Sequence, residues 1–179
     1  MAEKELREKR REGNRNAQRE LYRRYSPVLF GICLRYSPDR DTAQDILQDT
    51  FLKIFSSIGD YAGAGSFEGW MKRIAINTAI TNYHQSLKHM HHEDVDDYAQ
   101  SLQSGEPNLD QQEFTRDELL GVVNSLPDGY RMVFNMFAVE GFKHREIAEM
   151  LGIDINTSKT QFMRARNLVI RKLNELRKF

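Results

Sequence analysis

The feature that most constrains the fold of this chain is a long central stretch with few apolar side chains. Residues Lys88–Gln112 (KHMHHEDVDDYAQSLQSGEPNLDQQ) show no sustained hydrophobic period and contain Gly-Glu-Pro and Pro-Asn turn signals. A segment of such composition buries too little apolar surface to offset the conformational entropy that the chain loses on folding. A structureless stretch of about 25 residues is also unusual inside one compact domain. The sequence therefore predicts two domains, residues 1–87 and 113–179, joined by a linker over residues 88–112.

Charge is distributed in three blocks along the 179 residues. Residues 1–90 carry 15 Lys and Arg against 11 Asp and Glu, residues 91–120 carry 1 against 9, and residues 121–179 carry 10 against 6. The formal net charge of zero therefore hides two basic ends around an acidic centre. Basic globular surfaces favour polyanionic partners, nucleic acids among them.

Several classes of protein are excluded or disfavoured by composition. The single cysteine, Cys33, excludes an intrachain disulfide and a cysteine zinc cluster, and its apolar neighbours predict a core position. The longest apolar run, Pro27–Leu34, is far shorter than the roughly 20 residues that span a bilayer. The N-terminal MAEKELREKRREGN has no apolar stretch, so no secretory signal is visible. We expect a cytoplasmic protein that does not insert into a membrane.

The N-terminal domain is predicted to be all helix, because its apolar residues recur at three-four spacing. A first helix over Asn16–Tyr25 is expected to break at Ser26-Pro27, with Ser26 as the cap of a second helix. Asp41 is predicted to cap the next helix and Ser66 the one after it. The core stripe of that last helix, Phe67 to about Leu87, is predicted to consist of Phe67, Trp70, Ile74, Ala75 and Ala79, and to continue at Tyr83 or Asn82.

The C-terminal domain is also predicted to be helical. One helix is expected from Asp110 to Ser125, and a second from Pro127-Asp128 to Glu140-Gly141. A short helix, His144–Leu151, is expected to stop at Gly152, and a long final helix to be capped by Asp154 or Asn156. The buried stripe of the final helix is predicted to be Phe162, Ala165, Val169, Leu173 and Leu176.

A short helix, a glycine-containing turn and a second helix form the pattern of a helix-turn-helix motif. DNA-reading helices need side chains near their N-terminus that reach base edges and phosphates. Gln and Lys can donate to bases, Thr and Met can contact a thymine methyl group, and Arg can bind phosphates. The final helix offers Asn156, Lys159, Thr160, Gln161, Met163, Arg164 and Arg166. The solvated face of an ordinary amphipathic helix is the alternative interpretation.

Two other helices carry candidate binding faces. On the helix Phe67 to about Leu87, cations and polar residues accompany aromatic rings, a mixture suited to single-stranded nucleic acid: Trp70, Lys72, Arg73, Asn77, Thr81, Asn82 and Tyr83, with Tyr61 adjoining. The alternative interpretation is that Trp70 is a core residue, that the cations are simply solvated, and that the helix binds no nucleic acid. The other helix has an acidic and apolar stripe that could bind a basic partner helix or simply face water: Asp45, Gln48, Asp49 and Leu52, with Lys53 beside it.

Nothing in the sequence indicates catalysis. His89, His91 and His92 lie in or beside the predicted linker, where three convergent metal ligands are not expected. No Gly-rich phosphate loop, nucleophile elbow or ligand-spaced carboxylate pair is present. We therefore predict a protein that is not an enzyme, with no metal and no cofactor.

The order of these segments resembles bacterial sigma factors of the sigma-70 family, and the short two-domain layout resembles the extracytoplasmic-function (ECF) group. The resemblance extends from about Ala17 to Leu176, apart from the linker. It is carried by AQRELYRRYSPVLFGICLR, AQDILQDTFLKIF, SFEGWMKRIAINTAITNY and LPDGYRMVFNMFAVEGFKHREIAEMLGIDINTSKTQFMRAR. It implies an all-α fold of an N-terminal helical bundle and a C-terminal four-helix domain with a helix-turn-helix.

The resemblance also implies partners and site residues. The partners would be promoter DNA, core RNA polymerase through its β′ coiled coil and β subunit, and an anti-sigma factor, which many members have. The polymerase-docking residues would be Asp45, Gln48, Asp49, Leu52 and Lys53. The −10 element would be melted and read by Tyr61, Ser66, Lys72, Arg73, Asn77 and Thr81, with Tyr61 flanking a flipped base. The −35 element would be read by Asn156, Lys159, Thr160, Gln161, Met163, Arg164 and Arg166.

Some positions depart from the family pattern. Lys143 stands where a small polar N-cap is usual, so the short helix is expected to start less sharply, and Ser158 replaces an apolar residue, which is expected to weaken local packing. Asn156 replaces a frequent glycine and Gln161 a frequent arginine, so the promoter sequence stays open. The alternative functions are a stand-alone helix-turn-helix transcriptional regulator, a helical adaptor and, more distantly, a zinc enzyme.

Overall fold

The chain folds into helices and turns. The structure is a computed structural model that describes residues 15–63, 65–89 and 113–177, and no strand occurs in these three ranges. The predicted all-α class is therefore confirmed. The chain divides into two compact units, residues 1–82 and 83–179. The linker limits at 88 and 112 stay predictions, because residues 90–112, with His91 and His92, lie outside the described residues, as does the side chain of His89.

The first unit is built on two packed helices, a loop and one long helix that follows the loop. Helix α1 is Arg15–Tyr36, α2 is Arg40–Ser57, a 3₁₀ turn covers Ile58–Asp60, and α3 is Phe67–His89. Helices α1 and α2 pack against each other, and the division between the two units falls within α3. The fully or almost fully buried side chains of this core include Ala17, Leu21, Leu29, Cys33, Ala43, Ile46, Ile54, Phe67, Met71 and Ala75.

Helix α1 continues through Pro27, so the predicted break at Ser26-Pro27 is wrong. Pro27 removes one backbone donor, but it lies on the exposed side of the helix, where water can satisfy the orphaned carbonyl. The buried stripe runs without interruption through Leu21, Tyr25 and Leu29 on the opposite side. Burial of this stripe against the rest of the unit outweighs the local penalty.

The caps of α2 and α3 differ in how well the sequence predicts them. Helix α2 is capped by Asp39 rather than Asp41, because Asp39 has the extended backbone that a cap requires and accepts a hydrogen bond from the Thr42 amide at 2.7 Å. Asp41 instead lies in the first turn, where its charge complements the helix dipole. Ser66 is confirmed as the cap of α3, since its Oγ accepts from the Gly69 amide at 2.9 Å.

The core face of α3 is wider than the predicted stripe. Phe67, Ala75 and Ala79 are buried as predicted, but Trp70 and Ile74 are only half-buried. The stripe omitted three buried apolar residues, Met71, Ile76 and Ile80. Apolar residues lie on more than one side of α3, so a single three-four stripe cannot describe what the helix buries.

The second unit contains four α-helices within the described residues. They are α4, Arg116–Asn124; α5, Asp128–Phe134, which continues as a π-helix over Asn135–Val139; α6, His144–Leu151; and α7, Ile155–Leu176. The core joins α4 and α5 to the long helix α7. Its main buried cluster is Val122, Leu126, Tyr130, Ala165, Leu168, Val169 and Leu173, with Phe114 and Phe134 packed against it.

Helix α4 begins later than predicted. Residues 110–112 lie outside the described residues, and residues 113–115 are not helical. Thr115 and Glu118 form a capping box, in which the Glu118 amide donates to Thr115 Oγ1 at 3.2 Å and the Thr115 amide donates to Glu118 Oε2 at 2.8 Å. These reciprocal bonds satisfy two donors at the helix start and fix it at Arg116. The predicted burial of Leu176 is also wrong, because its side chain is 46% exposed.

Candidate functional site

The N-terminal half of α7 presents one exposed face of four predicted site residues. Asn156, Lys159, Met163 and Arg166 are all exposed, and their spacing of three, four and three residues places them on the same side of the helix. Met163 is 56% exposed, which is high for a large apolar side chain. The face therefore combines two cations, an amide and an exposed thioether, groups that can contact phosphates, base edges and a thymine methyl.

The other three predicted residues of α7 are half-buried: Thr160 and Arg164 flank this face, and Gln161 lies on the opposite side of the helix, toward α5. Arg164 Nη1 donates to the Tyr130 hydroxyl on α5 at 3.4 Å, so its guanidinium is held against the domain. Gln161 borders the first turn of α5, where a Cβ on Gly129 would lie 3.4 Å from the Gln161 amide nitrogen. These side chains are preorganised by contacts within the second unit.

The turn between α6 and α7 has the geometry of a helix-turn-helix. Gly152 ends α6 in the left-handed region, with φ 66° and ψ 35°, a conformation that glycine adopts without strain. Asp154 then caps α7 by accepting from the Asn156 amide at 2.7 Å, which decides between the two predicted caps. At the start of α6, Glu146 Oε2 accepts from the Lys143 amide at 2.8 Å. The missing polar N-cap side chain is thus partly replaced by a carboxylate from the first turn.

A polar contact joins the two helices of the motif beneath the exposed face. Ser158 is fully buried, and its Oγ lies 3.0 Å from His144 Nδ1 on α6. The His144 ring stacks on Phe137 at 4.3 Å between centroids, and Phe137 also contacts Phe162 at 4.4 Å. Burial of the ring, reinforced by the charge of Lys159, holds the pKa of His144 below its usual value. The serine hydroxyl therefore has a partner in the core.

The exposed face of α3 carries most of the residues predicted for the −10 element. Arg73, Asn77 and Thr81 recur every four residues and are exposed, and the Thr81 hydroxyl donates to the Asn77 carbonyl at 2.9 Å. Lys72 forms a surface ion pair with Glu68 at 2.7 Å, in which both side chains are more than 40% exposed. Such an exposed pair contributes about 0–1 kcal/mol, so Lys72 can exchange it for a phosphate at little cost.

Tyr61 is buried in an aromatic cluster rather than displayed beside the α3 face. Its side chain is 9% exposed, and its hydroxyl donates to the Gly65 carbonyl at 2.8 Å. Its ring centroid lies 5.3 Å from that of Phe67 and 5.1 Å from that of Trp70. The ring therefore holds the loop before α3 against the helix, and a base that stacks on it must displace part of this packing.

The outer face of α2 is acidic and apolar, as its sequence predicted. Asp45, Gln48, Asp49 and Leu52 are exposed at spacings of three, one and three residues, and Leu52 is 66% exposed. A groove of about 340 Å³ between α1 and α2 borders this face. Its lining combines aromatic, apolar and amide groups: Tyr22, Ser26, Pro27, Phe30, Gln44, Leu47 and Gln48.

Lys53 differs from the other predicted docking residues, because its side chain reaches another helix. Its Nζ donates to Thr78 Oγ1 on α3 at 3.2 Å. Thr78 is 2% exposed and was not among the residues that sequence reasoning selected. No local motif connects positions 25 residues apart, so only the packing of α2 and α3 identifies this contact.

The described ranges contain no cluster of three or more His, Cys, Asp and Glu side chains that could hold a metal ion. Cys33 is buried, and desolvation raises the pKa of its thiol to about 12, so it stays protonated and unreactive at neutral pH. No helix in the part of the chain that the structure describes is long and apolar enough to cross a membrane.

Comparison with known protein families matches the two parts of the chain to two regions of one family. Residues 21–88 match the model for Sigma-70 region 2, and residues 116–169 match the model for Sigma-70 region 4. The first match contains the α2 and α3 faces, and the second contains the helix-turn-helix. Together the two matches cover more than half of the chain, in the order that the sequence resemblance predicted.

Relatives with the same layout extend over nearly the whole chain. The ECF RNA polymerase sigma-E factor of Haemophilus influenzae is 26% identical over 98% of this chain and 97% of its own, and that of Escherichia coli K12 is 27% identical over 94% and 93%. The RNA polymerase sigma-H factor of Pseudomonas aeruginosa is 26% identical over 97% and 95%. The sigma factor RpoE from Bartonella quintana, solved in complex with the anti-sigma factor NepR, shares the fold with a TM-score of 0.54 at 19% identity, covering 87% of this chain and 96% of its own. The chain belongs to the sigma-70 family of RNA polymerase sigma factors, in its extracytoplasmic-function group.

Proposed function

We propose that this protein is the promoter-specificity subunit of a bacterial RNA polymerase: it binds the core enzyme and directs promoter recognition, DNA melting and transcription initiation. The observation that carries the proposal is the match of region 2 and region 4, in order, to two units that each present an exposed binding face. The polymerase supplies the chemistry, so the chain itself needs no catalytic group and no cofactor. Its place of action is then the cytoplasm, where polymerase and chromosome are.

The helix-turn-helix is proposed to read the −35 element with α7 in the major groove. Met163 and Thr160 can contact thymine methyl groups, while Gln161 can donate to and accept from base edges. Lys159, Arg164 and Arg166 would neutralise phosphates, and Asn156 at the helix start would contact bases or backbone. The contacts of His144 on α6 with Phe162 and Ser158 on α7 support this role, because they fix the angle between the two helices of the motif.

Helix α3 and the loop before it are proposed to melt and read the −10 element. Melting costs a few kcal/mol for each unstacked base, and capture of an extruded base offsets part of that cost. Asn77 and Thr81 would face the captured base from α3, while Tyr61 would flank it. Ser66, Lys72 and Arg73 would hold the adjacent backbone of the single strand.

The outer face of α2 is proposed to dock on the β′ coiled coil of the polymerase. An exposed leucine beside two carboxylates suits a basic amphipathic partner helix: Leu52 can enter its apolar stripe while Asp45 and Asp49 pair with its cations. Gln48 lies between these groups and also borders the groove on α1 and α2. The second unit would contact the β subunit. An anti-sigma factor is a further proposed partner, by analogy with the Bartonella quintana sigma factor that was solved in complex with NepR.

The proposal is tested by transcription in vitro from a fragmented genomic library of the source organism, with sigma-free core polymerase. The expected result is a set of discrete start sites that require this protein. Asp45→Ala/Asp49→Ala should abolish them by weakening core binding, whereas Lys159→Ala/Arg164→Ala should weaken −35-dependent sites without weakening core binding. Asp117→Ala and Arg116→Ala are matched controls, because both residues are exposed and lie on α4, which carries none of the proposed faces.

The same experiment separates the proposed function from the stand-alone regulator. Failure to form a complex with core polymerase, together with sequence-specific duplex binding by the free protein, would overturn the proposal and support a helix-turn-helix repressor or activator. Absence of salt-dependent DNA binding in both the free and the polymerase-bound forms would instead support a helical adaptor.

A further inference from the structure

Lys53 lies on the helix proposed to dock on polymerase, but its ammonium group points away from the docking face. Its Nζ is 3.2 Å from the Thr78 hydroxyl on α3. Thr78 is 2% exposed, and it follows directly after Asn77, which is proposed to face the captured base. The contact therefore joins the helix that binds polymerase to the helix that reads the −10 element.

The Thr78 hydroxyl both accepts and donates a hydrogen bond at this contact. The Thr78 hydroxyl donates to the Ile74 carbonyl at 2.8 Å, so its lone pairs can accept from the Lys53 ammonium. The Lys53 backbone is fixed as well, because its carbonyl accepts from Ser56 Oγ at 2.9 Å and from Ser57 Oγ at 2.6 Å. A charged donor aimed at a buried acceptor makes a stronger bond than two neutral groups.

From this geometry we infer that Lys53 is a positioning residue, not a polymerase contact: its bond to Thr78 sets the position of α3 relative to the docked helix α2. The inference rests on the proposed function, and it revises the role that the family resemblance implies for Lys53. When α2 is held by polymerase, a shift of α3 moves Asn77 and Thr81 relative to the promoter. Loss of the bond therefore weakens promoter opening and leaves polymerase binding unchanged.

The test uses Lys53→Met and Thr78→Val, which keep most of the side-chain volume and remove one partner each. With the wild-type chain as reference, we would measure affinity for core polymerase and permanganate reactivity of the −10 region on a promoter found in the genomic transcription experiment. Both variants should lower the extent of opening about tenfold, the effect of losing one charge-assisted hydrogen bond, at unchanged core affinity. Thr78→Ser retains the hydroxyl and should open the promoter like the wild type.

A drop in core affinity for Lys53→Met but not for Thr78→Val would overturn the inference, because it would identify Lys53 as a polymerase contact. Unchanged opening in both variants would also overturn it.

A double-mutant cycle on urea unfolding of the free full-length protein, followed by Trp70 fluorescence, tests the Lys53–Thr78 bond without polymerase. Non-additive effects of the two substitutions support the bond, and additive effects overturn it. If the wild-type chain opens no promoter with core polymerase, the proposed function fails, and the cycle still decides whether the link exists.

Discussion

Arg131 is a buried cation that holds the end of one helix of the second unit, and its replacement gives the most quantitative prediction. The side chain is only 4% exposed. Nη1 donates to the Leu126 carbonyl at 3.0 Å and to the Asn124 carbonyl at 3.3 Å, while Nη2 donates to Asp128 at 2.5 Å. Arg131 thus satisfies carbonyls at and just after the C-terminal end of α4, where a cation also complements the helix dipole.

The expected effect of Arg131→Met follows from the polar groups that lose their hydrogen-bond partner. Two carbonyl groups lose their donor, and an unsatisfied buried polar group costs about 1–3 kcal/mol. The Asp128 carboxylate is 38% exposed and can be rehydrated, so it adds little. Methionine retains part of the apolar packing. The sum is a loss of about 3 kcal/mol from the free energy of unfolding of the second unit, roughly a 150-fold change in its equilibrium constant. Arg131→Lys keeps the charge but not the several fixed donors of the guanidinium group, and it should lower the free energy of unfolding by about half as much.

The assay is native-state hydrogen exchange of the full-length protein, read by mass spectrometry on peptides from α5 and α7. The single tryptophan, Trp70, lies in the first unit, so its urea transition serves as an internal control and should not move. Arg145→Met is the matched variant, because Arg145 is exposed on α6 and its replacement should change stability by less than about 0.5 kcal/mol. Equal exchange in Arg131→Met and Arg145→Met would refute the reasoning.

Three further predictions concern the helix-turn-helix and use the same exchange measurement on α6 and α7. Asp154→Ala should lower stability by about 1 kcal/mol through loss of the cap, and Asp154→Asn should recover most of it. Gly152→Ala should cost about 1–2 kcal/mol, because a side chain is strained at φ 66°. The lowered pKa of His144 means that the unfolded chain takes up a proton at higher pH than the folded one. The stability that neutral His144 contributes to the folded unit is therefore complete above the ordinary histidine pKa of about 6.5 and is lost as the pH falls below that value. His144→Gln should remove this pH dependence.

The sequence was sufficient for features that depend on local chemistry. The short helix His144–Leu151 and its stop at Gly152 follow from a left-handed glycine after an apolar period, and the cap at Ser66 follows from a hydroxyl before a helical run. The α2 and α7 faces follow from three-four spacing alone. These features require no knowledge of what the other helices do, which is why periodicity and capping rules predict them.

Two misses, the cap at Asp39 and the start of α4 after Thr115, depend on local hydrogen bonds, whereas the others depend on distant packing. Proline at position 27 predicts a break only if the helix is considered alone, and the buried stripe across it decides otherwise. The width of the core on α3 and the exposure of Leu176 depend on which helices cover them. The Lys53–Thr78 bond and the buried Arg131 connect residues through the tertiary fold. One-dimensional spacing contains no information on such contacts.

The small number of cations on each proposed DNA face predicts that both units need a common anchor. On α7, Lys159 and Arg166 are exposed, and Arg164 is half-buried and bonded to the Tyr130 hydroxyl. Three phosphate contacts give a salt dependence with a logarithmic slope of about −3, typical of weak binding at physiological salt. The proposed α3 face offers only two cations, the exposed Arg73 and Lys72, which is paired with Glu68. If core polymerase holds the two proposed faces at a fixed spacing, the second contact becomes intramolecular and the affinities combine. We therefore expect loss of the proposed docking face of α2 to weaken promoter binding as well as core binding.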